Sequence, residues 1–323
     1  MDFDSLTKAN EYYDGAAKKY AVIFGDHIYM VKYPAKTNIK NDLQTEYSNS
    51  SFSEYVSCHI INGLNIPNVS AQETLLGTSN GKIVVACKDF TSSEKRLVKF
   101  NMIQNADIDS DMSGRHPVLA NVLQTYRTLP ELKNNPAFLQ RFWDTFALDT
   151  LLGNFDRHSG NWGFLNDRLS GTLELAPIYD CGSCLYPALS ERAMKDILSS
   201  KEEIEKRIYV FPQSAFLDKQ TKQKIKYHEF YSKTTDPQAK ASLIKIADTV
   251  NFDTIDSIID QTPYLSDIQK EFYTTMLRVR YTNLIEPNIL KKQISINNPI
   301  QNYCQQYFSD HISEKDKIKE TER

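Results

Sequence analysis

The densest run of reactive side chains is GNFDRHSGNWGF at 153–164, where Asp156, Arg157, His158 and Asn161 stand almost side by side. An apolar stretch precedes them, so a rigid element stopping at Gly153 must present them from a loop. Asp180 follows at the end of LAPIYD, beyond the next strand-like segments. Oxygen donors of the amide and carboxylate kind, Asn161 and Asp180, suit Mg²⁺, a hard cation that keeps positions for water and phosphate. Asp156 lies five positions before Asn161. It is left as a separate carboxylate that can orient a hydroxyl and take its proton. Those are the parts that phosphoryl transfer needs.

A D-x-x-x-x-N pair alone is a weak signal. The plainer reading has Asp156 capping a turn, Arg157 paired to it and Asn161 bonding within the loop. The whole DRHSGN string, followed by a strand and the turn Tyr179-Asp180-Cys181-Gly182, is more demanding and favours catalysis. In the protein-kinase catalytic loop the base is an Asp, a metal-binding Asn comes five residues later, and a second metal-binding Asp follows. His158 also invites a metal-ligand reading with Asp156 and Asp180. His59, Asp111 and His116 fall at no recurring ligand spacing, so a zinc or di-iron hydrolase has little support. The five cysteines are an odd, scattered set, and Cys181-x-x-Cys184 has no second pair. They read as ordinary turn and core thiols rather than a disulfide framework or a zinc site.

The elements around this loop divide in two. In KYAVIF, Tyr20, Val22 and Phe24 alternate; Gly25-Asp26 turns the chain; HIYMVKYP returns and stops at Pro34. A helix then starts with Ser51 and Glu54 at capping-box spacing, carries Phe52, Tyr55, Val56 and Ile60 on one face, and ends at Gly63. KIVVACKDF (82–90) reads as the last strand of a small sheet. From about residue 91 the period is helical. Asn135-Pro136 opens a helix with Leu139, Phe142, Trp143 and Phe146 on one face, ending at Gly153. Strands are expected at 161–165 and 172–180. Residues 187–235 show no clear period. Ala239, Leu243, Ile246 and Val250 mark one late helix, and Ile268, Phe272, Met276 and Val279 another. The tail after Asp310 is charged and expected to fray. The expected architecture is α+β, with a β-rich lobe at 1–90 and a helical lobe at 91–323.

Two features of the first lobe could serve a nucleotide. Asp14-Gly15-Ala16-Ala17-Lys18-Lys19 is neither GxGxxG nor a Walker loop, yet small residues admit phosphate to backbone N–H groups. Lys32, alone in an apolar strand, either snorkels to solvent or reaches inward to phosphates. Glu54 pairs with Lys32 or closes the capping box; the sequence supports both equally.

Composition narrows the classes. The 323 residues suit about two domains or one two-lobed unit on a prior of ~150 residues per domain. A 41% hydrophobic, 24% charged mix can bury a sizeable core. A net charge of −3 argues against a broad grip on nucleic acid or anionic membrane. No apolar run approaches the ~20 residues that span a bilayer. MDFDSLTKANEYY has no signal-peptide pattern, so a soluble protein made in the cytoplasm is expected.

The chain resembles the HipA-like family of bacterial serine/threonine kinases. Its matching pieces arrive in family order: GAAKKYAVIF (15–24), MVKYP (30–34), SEYVSCHIINGLNIPNV (53–69), CKDF (87–90), FDRHSGNWGFL (155–165) and LAPIYD (175–180). The resemblance implies a two-lobed kinase fold using ATP and Mg²⁺ on Ser/Thr hydroxyls of proteins, itself included. It implies a phosphate loop at Gly15, Ala16, Ala17, Lys18 and Lys19 and a nucleotide lysine at Lys32. It implies an adenine hinge at Lys88, Asp89 and Phe90. The base falls on Asp156, with Arg157 and His158 beside it in the catalytic loop. His158 and Tyr179 line the nucleotide, and Asn161 and Asp180 hold metal. The serine that HipA autophosphorylates is replaced by Tyr12-Tyr13-Asp14, and Lys88 stands where HipA has an acidic residue. The extra N-terminal part of full-length HipA is absent, so neither an antitoxin nor operator DNA is implied. Length is nearest to a smaller, translocated member, which implies delivery to host cells. Autophosphorylation is expected on polar stretches at 37–53 (Thr37, Thr45, Ser48, Ser50, Ser51) or 187–235. A phosphoinositide-type lipid kinase, which carries a similar DRHxxN loop, and a non-catalytic nucleotide-binding module are the competing readings.

Overall fold

Alternating apolar residues around the Gly25-Asp26 turn fold the early strands into a hairpin. In the computed structural model, which describes residues 1–10, 18–37, 44, 48–107 and 117–290, this hairpin is β2 (Lys19–Phe24) and β3 (His27–Lys32), flanked by β1 (Lys8–Ala9). Helix α1 (Ser50–Gly63), β4 (Thr74–Ser79) and β5 (Lys82–Lys88) follow. The sheet is antiparallel throughout, in the order β1-β2-β3-β5-β4. The strand within KIVVACKDF is the last of this sheet along the chain, as expected, and it lies inside the sheet rather than at its edge. Val84 to Cys87 are all buried, as a strand covered on both faces requires. The edge partner β4, TLLGTS, was unread because Gly and hydroxyl residues blur its pattern.

The two faces of this sheet do different work. Tyr29 and Val31 join Phe3, Val22, Val84 and Ala86 in a small apolar cluster on one face. Val85 and Cys87 join the main core with α1 on the other, where Met30 also packs. Side chains two apart share a face, so Lys32 follows Met30 toward α1. Phe24, 38% exposed at the hairpin tip, meets the small cluster only through its edge contact with the Tyr29 ring, centroids 6.1 Å apart.

Next come β6 (Lys95–Lys99), α2 (Phe100–Asp107), α3 (Leu119–Thr128), α4 (Pro130–Lys133) and α5 (Pro136–Leu152). The chain continues with β7 (Gly163–Asp167), β8 (Leu173–Leu175), α6 (Glu191–Leu198), α7 (Lys201–Tyr209) and α8 (Tyr227–Lys233). It closes with α9 (Pro237–Thr249), α10 (Phe252–Gln261), α11 (Asp267–Arg280), a π turn (Tyr281–Ile285) and α12 (Glu286–Leu290). A second antiparallel sheet, β6-β7-β8, interrupts the helices. The expected strands at 161–165 and 172–180 contain parts of β7 and β8, whereas β6, KRLVK, in which charged residues outnumber apolar ones, falls in the stretch expected to be helical from residue 91.

Helix α5 is the axis of the helical part. Asn135 caps it by accepting from Ala137 N–H at 3.2 Å, and Pro136 fills the first turn. Gly153 ends it at φ 69°, with its N–H on Asp149 C=O. Its aromatic face, Phe142, Trp143 and Phe146, packs on Phe216, Phe230 and Tyr227. Asp144, on another face, receives Ser242 Oγ and Lys245 Nζ from α9, both at 2.7 Å.

The capping box predicted at Ser51 and Glu54 does not form. Asn49 is the N-cap of α1 and makes no side-chain cap bond, so both residues lie inside the helix, and both are buried. Ser51 Oγ donates to Ile83 C=O at 3.3 Å. A capping box forms instead between Ser266 and Gln269 at the start of α11. Residues 187–235, read as mixed and loop-like, contain α6, α7 and α8. Ser190 and Ser200 cap the first two, and Ala193, Met194, Ile197 and Leu198 make a buried stripe. The tail after Asp310 lies outside the described residues.

Candidate active site

Helix α5 and the second sheet converge on the loop at 153–162. Asn154, fully buried, donates its Nδ2 to Asp149 Oδ1 at 3.0 Å and accepts Asp156 N–H on Oδ1 at 3.0 Å. Its C=O receives Tyr227 Oη at 2.6 Å. The loop then closes on itself. His158 N–H and Asn161 Nδ2 both donate to Asp156 C=O, at 2.8 and 2.9 Å. Asn161 N–H donates to His158 C=O at 2.8 Å. From the other side, Asn101 N–H reaches Ser159 C=O and Phe100 N–H reaches Trp162 C=O, each at 3.0 Å. The start of α2 thus braces the loop from outside α5.

Within that frame the Asp156 carboxylate is partly exposed and has no hydrogen-bond or ion-pair partner among the described residues. The donors that Asp156 does receive, from His158 and Asn161, both go to its backbone carbonyl, which leaves the side chain open to a further contact. His158 Nδ1 accepts Gly160 N–H at 3.1 Å, which assigns the proton of the neutral ring to Nε2. Asn161 commits its amide nitrogen to Asp156, leaving Oδ1 for a cation.

Arg157 does not pair with Asp156. It is 3% exposed and grips Asp149 on α5 with a two-point fork, Nε to Oδ2 and Nη2 to Oδ1, both 3.0 Å. Its Nη1 donates to Asn161 C=O at 3.0 Å and Tyr179 C=O at 2.5 Å. Burial alone would weaken the charge on Arg157, but the Asp149 carboxylate reverses this and holds the guanidinium well above its ordinary value. Expected in the catalytic set, Arg157 is placed instead to position, joining the loop to the segment that carries Asp180.

Asp180 is half-exposed and adopts a left-handed φ of 58°, a conformation Asp tolerates better than most residues. Lys32 Nζ lies 3.6 Å from its Oδ1 and 3.3 Å from Glu54 Oε2. Glu54, 2% exposed, also accepts Cys181 N–H on Oε1 at 3.0 Å. Between the two readings of Glu54, the structure selects the pair with Lys32. Burial opposes the charge of Lys32, and the carboxylate of Glu54 more than compensates, with Asp180 adding to it, so the ammonium titrates well above its ordinary range.

The hinge is partly spent on the fold. Lys88 donates its N–H to Glu73 C=O at 2.9 Å, accepts Gln72 Nε2 on its C=O at 2.8 Å, and pairs its side chain with Glu73 at 2.9 Å. Asp89 N–H goes to Ile28 C=O at 2.8 Å. Phe90 N–H is the hinge donor without a partner among the described residues. The Phe90 ring stands 5.7 Å from that of Tyr179, whose Oη donates to Gly160 C=O at 3.2 Å. Burial pushes the Tyr179 phenol well up, so it stays a neutral donor. Of the expected phosphate loop, Gly15, Ala16 and Ala17 lie outside the described residues. Lys18 sits over the Tyr33 ring at 4.8 Å, and Lys19 pairs in register with Lys32 across β2 and β3.

Asp149 and Asn154 were missed. A carboxylate in the otherwise apolar FALDTLL was a readable signal, because a buried charge demands a partner. Cys58, Cys87, Cys181 and Cys184 are free thiols, and no cluster of His, Cys, Asp or Glu able to hold a metal occurs among the described residues. No helix among them is long and apolar enough to cross a membrane.

Known proteins resemble this chain over most of its length. The serine/threonine-protein kinase CtkA of Helicobacter pylori strain J99 is 42% identical over 274 residues, covering 83% of this chain and 80% of the relative. The crystal structure of a Helicobacter pylori proinflammatory kinase CtkA superposes with a TM-score of 0.83 at 39% identity, covering 92% of this chain and 99% of that one. The description of the HipA-like C-terminal domain matches residues 13–251, which include Lys32, Glu54, the loop at 153–162 and Asp180. The chain belongs to the HipA-like C-terminal domain family.

Proposed function

We infer that this chain is an ATP- and Mg²⁺-dependent kinase that phosphorylates serine and threonine hydroxyls of proteins. The observation that carries the reading is the contrast between two carboxylates. Asp156 is unpartnered on a braced loop, whereas Asp180 is held beside the Lys32–Glu54 pair. One is free to meet a hydroxyl; the other is set among charges that suit phosphate and metal. The likeness to a named serine/threonine-protein kinase supports the same activity.

In the reaction, the acceptor oxygen bonds to the γ-phosphorus as the bond to the β–γ bridging oxygen breaks, and ADP leaves. The hydroxyl proton passes to Asp156. Lys32 holds the α- and β-phosphates, Phe90 N–H meets the adenine edge, and the touching rings of Phe90 and Tyr179 give the base one aromatic wall. The donor set fits Mg²⁺: Asn161 Oδ1 and the half-exposed Asp180 are hard oxygens, few enough to leave room for water and phosphate. When bound there, the ion would neutralise phosphate charge. Arg157 keeps the two halves of the site in register.

The same chemistry applied to the chain itself needs an accessible hydroxyl. Ser51 is buried in α1, which removes it from the expected acceptors, and Thr45 lies outside the described residues. Ser48 and Ser50, hydrogen-bonded at 2.9 Å, remain partly exposed at the helix start. Asp156→Asn should keep Mg²⁺-dependent nucleotide binding and lose transfer by about 10²–10⁴-fold; Asp180→Asn should weaken that binding as well. Calorimetric titration with and without Mg²⁺, beside phosphosite mapping, checks both. Equal loss of binding in the two variants would refute the division of roles.

A further inference from the structure

Beside Asp156 lies an apolar surface that neither the nucleotide nor the metal accounts for. Phe155, the residue before the base, is partly exposed and packs against Phe211 with ring centroids 5.2 Å apart and planes tilted by 43°. Phe211 is itself 46% exposed and Val210 58%, in the connection that follows α7. Large apolar side chains left in water next to a reactive group mark a contact surface. This one is rigid. Arg207 C=O receives Tyr186 Oη at 2.7 Å and the buried Arg280 Nη1 at 3.1 Å. The N–H groups of Val210 and Phe211 both donate to Lys206 C=O at 3.0 Å. Pro212 packs under Gly153, where an added Cβ would meet its Cγ at 3.0 Å. The step is therefore bolted to the helix end that carries the catalytic loop.

We propose that Phe155, Val210 and Phe211 form a docking step for a bulky apolar side chain next to the acceptor serine or threonine of a protein substrate. The proposal rests on the kinase reading and specifies which sequences that site takes. A polypeptide that delivers its hydroxyl to Asp156 must cross the residue adjoining Asp156, so its neighbouring side chain meets this surface. The local charges favour a polypeptide over a lipid surface. Lys206 and Arg207 are already paired with Glu202 and Glu203, whereas anionic headgroups call for a cluster of unpaired bases.

The test is a peptide pool with a central serine and one varied flanking position, given to wild type, Phe211→Ser, Val210→Ser and the control Leu169→Ser. Leu169 is 91% exposed on the β7–β8 turn, outside the step. Wild type and the control should select Leu, Ile, Met or Phe at one fixed flanking position. Phe211→Ser should raise KM for the selected peptide about tenfold while kcat and the KM for ATP hold. Val210→Ser should act in the same direction, and mapped autophosphorylation sites are scored by the same flanking rule. No apolar selection by wild type, or a selection that both step variants retain, overturns the proposal. Transfer to phosphatidylinositol vesicles that depends on Phe211, with peptides unaffected, overturns it in favour of a membrane contact. Nucleotide binding without transfer to any peptide, protein or lipid refutes the kinase reading itself.

Discussion

The β-rich and helical parts of the molecule each contribute one ion pair to the site, and the two pairs are built differently. Arg157 and Asp149, in the helical part, are 3% and 2% exposed, joined by a two-point fork, with further Arg157 donors spent on two backbone carbonyls. Lys32 and Glu54, in the β-rich part, are 19% and 2% exposed, and the lysine is shared with Asp180 at 3.6 Å. A fully satisfied buried pair has nothing left to offer a ligand. A lysine divided between two carboxylates at a cleft can exchange one of them for phosphate. Equal charges thus serve as a rivet in one half and as a grip in the other.

Breaking the rivet should have the largest effect. Arg157→Ala strands Asp149 in the core and should cost about 3–5 kcal/mol, read as a lower urea midpoint at unchanged slope. Lys32→Met also removes the partner of a buried carboxylate, but Glu54, already raised by burial, can take up a proton, so stability should fall less than for Arg157→Ala while phosphoryl transfer drops roughly 100-fold. If Arg157→Ala melts like wild type while Lys32→Met unfolds, the distinction is inverted.

Glu54→Gln sharpens the comparison with a smaller effect. The amide oxygen still accepts Cys181 N–H, so the change falls on the side facing Lys32, where both the charge and the hydrogen-bond acceptor are lost, and transfer should fall about tenfold. Burial pushes the Glu54 carboxyl above its ordinary value, with Lys32 pulling against it. A carboxyl raised in the folded state contributes stability below its unfolded value and loses that contribution as pH rises through the folded one. Transfer needs the ionised pair, so it should decline in the opposite direction, as pH falls through the raised value. A pH–rate profile of wild type should show this acid limb, and the Gln variant should lack it.

What could be read beforehand followed the strength of local signals. The loop from Gly153 to Trp162 was legible because its polar residues interrupt an apolar helix with a strong N-cap and a glycine stop. The first hairpin was legible from Gly25-Asp26 and its flanking alternation. By contrast, β6 hides in KRLVK because its pairing with β7 is set by distant partners, Val98 opposite Phe164. Ser51 and Glu54 had the right spacing for a cap and the wrong neighbours. Glu54 is drawn inward by Lys32, which lies on another element, and the helix begins before Ser51. Helices α6 to α8 are short, and α7 is dominated by charge, so no window reached a clear period. The Asp149–Arg157 fork links residues eight apart across a helix end, a contact that no helical repeat predicts.

Gln72 has a consequence for how the cleft can move. Its backbone N–H holds Ile178 C=O at 2.8 Å and its side chain holds Lys88 C=O at 2.8 Å, while Ile178 N–H returns to Ser70 C=O at 2.8 Å. One residue beyond Ile178, the Tyr179 carbonyl is clasped by Arg157 from the opposite half. The segment 178–180 is thereby moored on both banks, so a rocking of the sheet over the helices would turn about it as about an axle. Displacement grows with distance from an axle. Asp180 would then travel least, and the hairpin tip at Gly25, at the far end of β2 and β3 from Lys32, would sweep a wider arc.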